Sequence, residues 1–271
     1  MDRTRGAQRH FARVAAVYDD VRNTDPAVVE EIVGRLPERA NRLEIADIGC
    51  GTGRYSNVMA AHLNGNLRMW CCDFSLEMLQ ECRERMNGNY PGRPFRFSRV
   101  SANCLPFAGQ SLDTIVSFNA VHHFDLERFA SESARVLCPG GLLAVYTRTP
   151  LQNARTIWGY HFPGFTHYEN RLYPRERLER AVAGVPSLQL EEIREFTHHR
   201  AEPAELLLER ARKHHYSTFS LYPPEEFTEA LAEFALRISK LGNGTIEHTA
   251  ENTLVLARRT ENTDFRTDVS P

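Results

Sequence analysis

The chain has 271 residues, of which 42% are hydrophobic and 25% are charged, and this composition is ordinary for a soluble globular protein. Its formal net charge of −2 gives no overall positive field, so binding to nucleic acid or to an anionic membrane surface is not expected. No apolar run approaches the roughly 18 residues of a membrane-spanning helix, and residues 1–10 lack the apolar segment of a secretory signal, so we expect no membrane insertion and a cytoplasmic location.

Two short amphipathic helices are predicted before the first strand. The first is indicated by apolar residues at helical spacing within residues 11–18. The second follows Asp25, which stands in an N-cap position, and Pro26, which stands at the first helical position. Its apolar residues repeat with helical spacing over residues 28–36, so one face of this helix should be buried.

From residue 43 to residue 147, strand patterns alternate with helix patterns. The five predicted strands are LEIADI, NLRMWCCD, FRFSRVS, LDTIVSFN and GGLLAVYT. Ser75 and Asp125 stand at the N-cap positions of two helices between them, and the second helix should end at the residues CPGG. Strands and helices that alternate with short loops predict an α/β fold with a doubly wound, Rossmann-like sheet of mostly parallel strands.

The alternation weakens after the fifth strand. Residues 151–173 are rich in aromatic and histidine side chains, and a helix is predicted at about residues 174–183. LQLEEIREF and NTLVLARR predict a sixth and a seventh strand. Two helices are predicted between these strands, one near residues 203–213 and one that begins at Pro223–Pro224. We therefore expect a seven-stranded sheet with N-terminal helices and a helical cap inserted before the last strand.

The segment IADIGCGTGRYS, residues 45–56, places three glycines at alternate positions just after the first strand. A dinucleotide-binding loop needs the pattern G-x-G-x-x-G/A, because the last small residue lets the helix pack close to the pyrophosphate. Arg54 occupies that position here, and no G-K-S or G-K-T follows that would form a phosphate-binding P-loop. The loop therefore favours a ligand that has an adenosine but no pyrophosphate.

Two aspartates support this interpretation. Asp47 lies just before the first glycine, where a carboxylate would repel a phosphate and attract a cationic amino group or sulfonium. Asp73 ends the second strand, where a carboxylate can accept hydrogen bonds from both ribose hydroxyls. Two simpler interpretations stay open: the glycines only turn the chain, and Asp73 only caps the helix that begins near Ser75.

Four segments resemble successive motifs of the class I S-adenosylmethionine-dependent methyltransferases, and in particular their type 11 small-molecule group. These segments are IADIGCGTG, CCDFS, SANCLPFAGQSLDTIVSFNAVHHF and RVLCPGGLLAVYT, which follow one another within residues 43–148. The resemblance implies that the chain binds S-adenosyl-L-methionine, transfers its methyl group by in-line displacement and releases S-adenosyl-L-homocysteine.

The resemblance and the pattern of elements together give an expected domain organisation. We expect one methyltransferase domain over residues 1–258 and a disordered polar tail at residues 259–271. The cofactor half of the domain is expected at about residues 40–150. The cap and acceptor elements are expected at about residues 1–36, 150–185 and 200–243.

The resemblance also implies which residues contact the methionine and ribose parts of the cofactor. The loop glycines would lie against the methionine moiety: Gly49, Gly51 and Gly53. Asp47 would lie near the amino group, and Asp73 would hold the ribose.

A second group of residues is implied to contact the adenine and the sulfonium. Phe74 would pack on the adenine, and Tyr18 resembles a family tyrosine that lies over the cofactor, although it also completes the apolar stripe of its helix. Many family members have an acidic residue where this chain has Ser101, followed here by Ala102 and Asn103. Asn103 or a backbone group would replace the acidic residue as the contact to the adenine amino group.

The segment FNAVHHF follows the fourth strand, at the edge where open α/β sheets bind ligands. Asn119 would contact the methionine end of the cofactor. His122 or His123 would orient or deprotonate an acceptor hydroxyl or thiol, because histidine titrates near neutral pH. The simpler alternative is that one histidine packs under the following helix and the other is solvated.

The absence of two motifs narrows the classes of methyl acceptor that the sequence favours. Methyltransferases that act on the amino groups of bases or amides usually carry N-P-P followed by an aromatic residue after the fourth strand, where this chain has Asn119, Ala120 and Val121. Methylation of a base at C5 needs a cysteine in a Pro-Cys setting, which is also missing. We expect a small-molecule acceptor. The alternatives are an RNA or protein methyltransferase and a non-catalytic subunit that binds S-adenosylmethionine or S-adenosylhomocysteine.

The aromatic segment after the fifth strand and the two helices before the last strand are expected to close over the sheet as a lid. An enclosed pocket of this kind suits a small molecule. Arg148, just beyond the fifth strand, would pair with an acceptor carboxylate. The residues expected to line the acceptor pocket are Tyr146, Arg148, Trp158, His161, Tyr216 and Tyr222.

No metal site is expected. The six cysteines show no CxxC pair, and we expect them to be reduced thiols. The histidines outside FNAVHHF occur singly or in adjacent pairs, rather than at the i, i+4 spacing with a carboxylate or cysteine partner that metal sites on helices use.

Overall fold

The computed structural model describes residues 24–38, 42–63, 67–242 and 244–260. The first predicted N-terminal helix, including Tyr18, lies outside these ranges, and so does nearly all of the predicted tail. The second predicted N-terminal helix is present as α1, Pro26–Val33, with its proline at the first turn.

Seven strands form one sheet in the order β3-β2-β1-β4-β5-β7-β6. The strands are β1 (Leu43–Ile48), β2 (Leu67–Asp73), β3 (Phe95–Arg99), β4 (Leu112–Phe118), β5 (Leu137–Thr147), β6 (Leu188–Pro203) and β7 (Thr245–Arg259). The first five strands pair in parallel, whereas β7 runs antiparallel to both β5 and β6. The predicted doubly wound, mostly parallel Rossmann-like sheet is therefore confirmed.

Helices cover both faces of the sheet, which explains why the central strands are almost continuously apolar. The longer helices after α1 are α2 (Arg54–His62), α3 (Leu76–Asn89), α4 (Leu126–Val136) and α8 (Arg175–Ala183). Val28 of α1, Met59 of α2 and Met86 of α3 join one hydrophobic core, while Phe129 of α4 and Leu178 of α8 join the other. Within the described ranges, no helix is long and apolar enough to cross a membrane.

Two of the three predicted helix caps are present. The Ser75 side chain accepts a hydrogen bond from the Met78 backbone N–H, and Asp125 accepts one from the Arg128 N–H. Asp25 stands at the N-cap position of α1 but makes no side-chain cap hydrogen bond, so this part of the prediction is wrong. Its carboxylate instead accepts a hydrogen bond of 2.8 Å from the Tyr146 hydroxyl on the sheet.

The last two strands are longer than their sequence patterns predict. The pairing of β5 with β7 stops at Thr147 and Thr253, whereas β6 and β7 continue to pair as far as Pro203 and Thr245. This two-stranded extension therefore projects beyond the carboxyl end of β5. The helices inserted between β6 and β7 follow its far end.

The cap has its own hydrophobic core, separate from the two cores of the sheet. Its helices are α5 (Pro150–Ala154), α6 (Ile157–His161), α7 (Phe165–Tyr168), α9 (Ala204–Arg212) and α10 (Pro224–Leu241). Trp158 and Phe162 from the aromatic segment pack against Phe219 and Phe234 from the insertion between β6 and β7. The predicted aromatic segment and the predicted two-helix insertion thus form one unit over the carboxyl edge of the sheet.

Candidate active site

The glycine loop between β1 and α2 contains three glycines in two kinds of surroundings. Gly49, Gly51 and Gly53 all have positive φ angles of 76°, 56° and 77°, which favour glycine. A Cβ at Gly49 would lie 2.4 Å from the Ala120 Cβ, and one at Gly53 would lie 2.5 Å from the Cys82 Sγ. A Cβ at Gly51 would meet nothing within 4 Å. Gly49 and Gly53 therefore let the loop pack closely, while Gly51 borders open space.

Asp73 ties this loop to the end of β2. The Gly51 backbone N–H donates to its Oδ2 and the Ser75 backbone N–H donates to its Oδ1, each across 2.9 Å. Burial raises the pKa of this carboxyl group, whereas the hydrogen bonds from the backbone N–H groups of Ser75, Gly51 and Phe74 lower it. Asp73 thus organises the turn before α3, and the same carboxylate also lines a cavity.

Asp47 is a buried carboxyl group, and only one of its two oxygens has a hydrogen-bond partner among the described residues. Its Oδ2 accepts a hydrogen bond of 2.5 Å from the Ser56 hydroxyl, and among the described residues its buried Oδ1 has no partner. Burial raises its pKa to about 8, and the nearby Cys71 and Asp73 add to this effect while the Ser56 hydrogen bond opposes it. A cationic group placed beside Asp47 would supply the missing partner.

A cavity of about 360 Å³ lies over the glycine loop and is called the loop cavity below. It extends from the loop across the ends of β2 and β3 to the end of β4. The predicted cofactor residues that line it are Asp47, Gly49, Gly51, Asp73, Phe74, Ser101, Ala102, Asn103 and Asn119. Gly53 is not among the lining residues because it faces Cys82 of α3, and Tyr18 lies outside the described residues.

The far end of the loop cavity has an exposed aromatic face. Phe74 is 41% exposed, and the Arg99 guanidinium lies 5.1 Å from the centre of its ring on one side. The Asn103 side-chain oxygen accepts a hydrogen bond of 3.2 Å from the Asp125 backbone N–H. A contact from Asn103 to an adenine amino group would therefore use the second lone pair of that oxygen or the backbone carbonyl.

The other end of the loop cavity is formed by the segment after β4. Asn119 has a positive φ of 54°, and its backbone N–H donates to the Tyr146 carbonyl oxygen across 2.7 Å. The next turn, Val121–His123, is a 3₁₀ helix in which the rings of His122 and His123 lie 4.1 Å apart. Both histidines are half-buried and both line the loop cavity, in contrast to the simpler alternative of one packed and one solvated ring.

A second cavity, of about 100 Å³, lies between this segment and the cap and is called the cap cavity. It has residues from the sheet, from the extension of β6 and β7, and from the cap. The residues that line both cavities are Arg54, Tyr55, Asn119, His122, His123 and Leu172. The two cavities therefore meet at one place, where the predicted catalytic histidines lie.

Three of the six predicted acceptor-pocket residues line the cap cavity, namely Arg148, Trp158 and Tyr216. Tyr146 does not, because it is fully buried in the sheet, with its hydroxyl bonded to Asp25 and 3.1 Å from His198 Nε2. Tyr222 packs within the cap core and donates to the Pro163 carbonyl oxygen, and His161 lies on α6 away from the cavity wall. These three assignments are not supported by the placement of the side chains.

Several cavity residues were not identified from the sequence. Asp25 lines the cap cavity, and its carboxylate lies within hydrogen-bond or ion-pair distance of Tyr55, Tyr146, His198 and Arg200. These residues come from four separate elements, so no local pattern groups them. A signal for them in the sequence is the run of basic residues HHR at residues 198–200, in a strand that alternates between half-buried and exposed positions there.

Charged side chains also line the cap cavity. Glu202 lies 2.7 Å from Arg210 and 3.1 Å from His248, and Glu169 pairs with Arg171 across 2.5 Å. Within the part of the chain that the structure describes, no group of three or more histidine, cysteine, aspartate or glutamate side chains is arranged to hold a metal ion. All six cysteines are free thiols.

The sequence is similar to a protein family and to several named proteins. Residues 45–141 match the family described as a methyltransferase domain. The chain is 37% identical over 107 residues to the protein named Probable tRNA methyltransferase 9B of Bos taurus, which covers 38% of this chain and 20% of that protein. It is 30% identical over 214 residues to the biotin biosynthesis bifunctional protein BioHC of Cellvibrio japonicus, which covers 73% of this chain and 40% of that protein.

A further relative is the malonyl-(acyl-carrier protein) O-methyltransferase of Alcanivorax borkumensis, at 30% identity over 152 residues, which covers 55% of this chain and 51% of that protein. The chain thus spans between 20% and 51% of the lengths of these three relatives. Among solved structures, geranyl diphosphate C-methyltransferase from Streptomyces coelicolor A3(2), determined with S-adenosyl-L-homocysteine, has a TM-score of 0.55 and 20% identity over 86% of this chain and 76% of that chain. That likeness shows the fold.

Proposed function

We propose that this chain, whose residues 45–141 belong to the class I S-adenosylmethionine-dependent methyltransferases, transfers a methyl group from that cofactor to a small-molecule acceptor. The observation that carries this proposal is the meeting of the two cavities at Asn119, His122 and His123. A donor in the loop cavity and an acceptor in the cap cavity would face each other there.

The residues of the loop cavity fit the cofactor by their chemistry. Asp47 offers a buried carboxylate oxygen without a partner among the described residues, which suits the cationic amino group of a methionine moiety. Asp73 lies at the end of β2, where its oxygens can accept from ribose hydroxyls as well as from the loop. The space beside Gly51 lets a ligand approach the backbone closely. The cofactor supplies a methyl group that is already activated on a sulfonium.

Because the methyl group is activated, the main task of the protein is placement. Holding two reactants at near-attack distance can lower a barrier by about 7 to 11 kcal/mol, and a positioned general base adds about 10² to 10⁴ in rate. Tyr55 and Leu172 line both cavities at the place where they meet. His122 or His123 orients the acceptor nucleophile and takes its proton as the new bond forms.

The cap cavity favours a small molecule over a large one. It is lined by Trp158 and Tyr216 of the cap and by Ala250 and Asn252 of β7. A cavity of about 100 Å³ suits a compact ligand, whereas a nucleic acid needs a long groove along its backbone. The formal net charge of −2 is also low for an RNA-binding protein.

A second candidate function is methylation of RNA, because one relative is named as a tRNA methyltransferase. The part of the chain that aligns with that relative is 38% of the whole, and another relative is named for O-methyl transfer to a malonyl group on acyl-carrier protein. The relatives therefore differ in their acceptors, and the assay must offer both kinds.

The proposal is tested by incubating the purified protein with methyl-labelled S-adenosylmethionine and either a metabolite filtrate below about 1 kDa or total tRNA. We expect label in a small molecule of the filtrate. Label in tRNA alone supports the RNA candidate. Binding of the cofactor by calorimetry with no label in either sample supports a non-catalytic binding subunit.

A further inference from the structure

The charges that line the cap cavity are mostly paired within the protein. Glu202 pairs with Arg210 and His248, and Glu169 pairs with Arg171, in each case at 3.1 Å or less. Asp25 lies 3.5 Å from the Arg200 guanidinium and 3.5 Å from His198. Each of the three carboxylates therefore already has a basic partner.

Arg148 is different, because its hydrogen bonds are all with neutral groups. Its Nη1 donates to the Tyr216 hydroxyl at 3.2 Å, its Nη2 donates to the Asn252 side-chain oxygen at 3.3 Å, and its Nε donates to the Glu251 backbone oxygen at 3.3 Å. Among the residues described, no carboxylate lies within ion-pair distance of it. A half-buried guanidinium thus faces the cavity with no carboxylate paired to it, and the Asp25 carboxylate acts on its charge from beyond ion-pair distance.

The hydrogen-bond inventory of Arg148 leaves room for one more partner. A guanidinium has five N–H groups, and protein acceptors use one on Nε and one on each terminal nitrogen. One N–H therefore remains on each terminal nitrogen. A guanidinium can bind both oxygens of a carboxylate through N–H groups on its two terminal nitrogens, which is the bidentate arrangement that gives arginine pairs their strength.

The position of Arg148 relates it to the reacting end of the cavity. Asn252 accepts from Arg148 and donates to the Asn119 side-chain oxygen across 2.9 Å. Asn119 lines both cavities, whereas Arg148 lines only the cap cavity. A ligand held by Arg148 would therefore lie near the place where donor and acceptor meet, because Asn252 links Arg148 to Asn119 by hydrogen bonds.

We propose that the methyl acceptor carries a carboxylate, and that this carboxylate binds Arg148 in the cap cavity. Calling this ligand the methyl acceptor rests on the proposed function. The binding of a carboxylate at Arg148 does not depend on turnover. A carboxylate fits better than a phosphate monoester, because a phosphate brings about 1.5 to 2 negative charges to one guanidinium that already interacts electrostatically with Asp25.

A binding experiment tests the site without any assay of activity. Acetate, propionate and benzoate, with acetamide, propionamide and benzamide as neutral controls, are titrated by calorimetry and thermal shift into the protein with S-adenosylhomocysteine present. We expect at least one acid to bind while its amide does not, and we expect Arg148→Gln to abolish that difference. Arg155→Gln is the matched control, because Arg155 is exposed, lies outside the cavity wall and pairs with Glu251.

A kinetic experiment tests the same site with the labelled metabolite once it is identified. Its unmethylated form should be a carboxylic acid. Arg148→Gln should raise the acceptor KM roughly 10- to 150-fold, the range for losing hydrogen bonds to a charged group, with little change in kcat or in cofactor affinity. Arg148→Lys should recover part of the loss, because it restores the charge without the bidentate geometry.

Equal binding of the acids and amides, or equal binding of an acid to the wild type and to Arg148→Gln with an unchanged melting temperature, overturns the carboxylate site. A labelled metabolite whose unmethylated form has no carboxyl group overturns it as well. Absence of any labelled product with preserved carboxylate binding overturns the proposed function and leaves the site standing.

Discussion

Asn252 on β7 donates a hydrogen bond of 2.9 Å to the side chain of Asn119 at the end of β4. This bond joins the cofactor half of the sheet to the strand that carries the cap. Asn119 has a positive φ, and its side chain is held by a partner 133 positions away in the sequence. The place where the two cavities meet is therefore built jointly by both halves of the chain.

Asp73→Ala is expected to weaken binding of S-adenosylmethionine by about 1.5 to 3 kcal/mol, the range for hydrogen bonds to a charged group. The measurement is calorimetry. Asp73→Asn should lose less of the affinity for S-adenosylmethionine, because it keeps one oxygen for the Gly51 or Ser75 N–H. Asp113→Asn is the control, since Asp113 also accepts from a backbone N–H, that of Glu44, but lies outside the cavity wall. Wild-type affinity in Asp73→Ala would overturn the ribose assignment.

Binding of the cofactor should depend on pH through Asp47. The pKa of this group is raised to about 8, so below that pH the free protein holds a proton there. A cationic amino group favours the ionised form, so binding releases that proton and affinity falls by up to about tenfold for each pH unit below 8. Calorimetry at pH 6, 7 and 8, in buffers of different ionisation enthalpy, measures both effects.

Asp47→Asn should remove that pH dependence, because asparagine does not titrate. It should also weaken binding at pH 8 by about 1.5 to 3 kcal/mol. If the pH dependence of Asp47→Asn matches that of the wild type, another group binds the amino end of the cofactor.

Three glycine substitutions should have three different results. Gly51→Ala costs about 1 to 2 kcal/mol of stability through its positive φ, and it also weakens cofactor binding because its new methyl group enters the loop cavity. Gly53→Ala adds a close contact of 2.5 Å with the Cys82 Sγ, so it should lower the melting temperature further. Gly88→Ala in α3 meets nothing within 4 Å and should stabilise the protein by about 0.5 to 1 kcal/mol.

Thermal unfolding and calorimetry on the same three variants check this order. An unchanged cofactor affinity in Gly51→Ala would show that the ligand does not approach the loop at that residue.

His122→Gln and His123→Gln separate a catalytic role from a packing role. Replacing the histidine that takes the proton from the methyl acceptor should lower turnover by about 10² to 10⁴. The affinity for the cofactor should stay within about twofold of the wild type. His167→Gln is the control, because His167 is exposed on α7 and lines neither cavity. Single-turnover transfer of labelled methyl measures the effect, and unchanged rates in both variants would remove the histidines from the mechanism.

The sheet and the loop cavity could be predicted from the sequence because their signals are local. The glycine spacing within residues 45–56 and the position of Asp73 at the end of a strand can be recognised in short stretches of sequence, although their close contacts come from Ala120, Cys82 and Gly51. The lengths of β6 and β7 could not be predicted, because the pairing of Pro203 with Thr245 depends on a partner strand and not on a pattern in either one.

The cap cavity was harder to predict because its residues come from distant elements. Arg148 was identified because it lies just beyond β5, whereas Tyr146 lies two positions earlier on the same strand. At that position Tyr55 and Phe196 pack edge-on against the Tyr146 ring and keep it in the core. Asp25 fitted a helix cap by its position, but the hydroxyl of Tyr146 competes for its carboxylate.

A crystal structure with S-adenosylhomocysteine tests most directly the claim that donor and acceptor meet beside the histidine pair. We expect its amino group beside Asp47, its ribose on Asp73, and its sulfur facing the cap cavity between Asn119 and His122. A sulfur atom that is closed off from the cap cavity, or a nucleoside bound in the opposite direction along the loop, would contradict the claim.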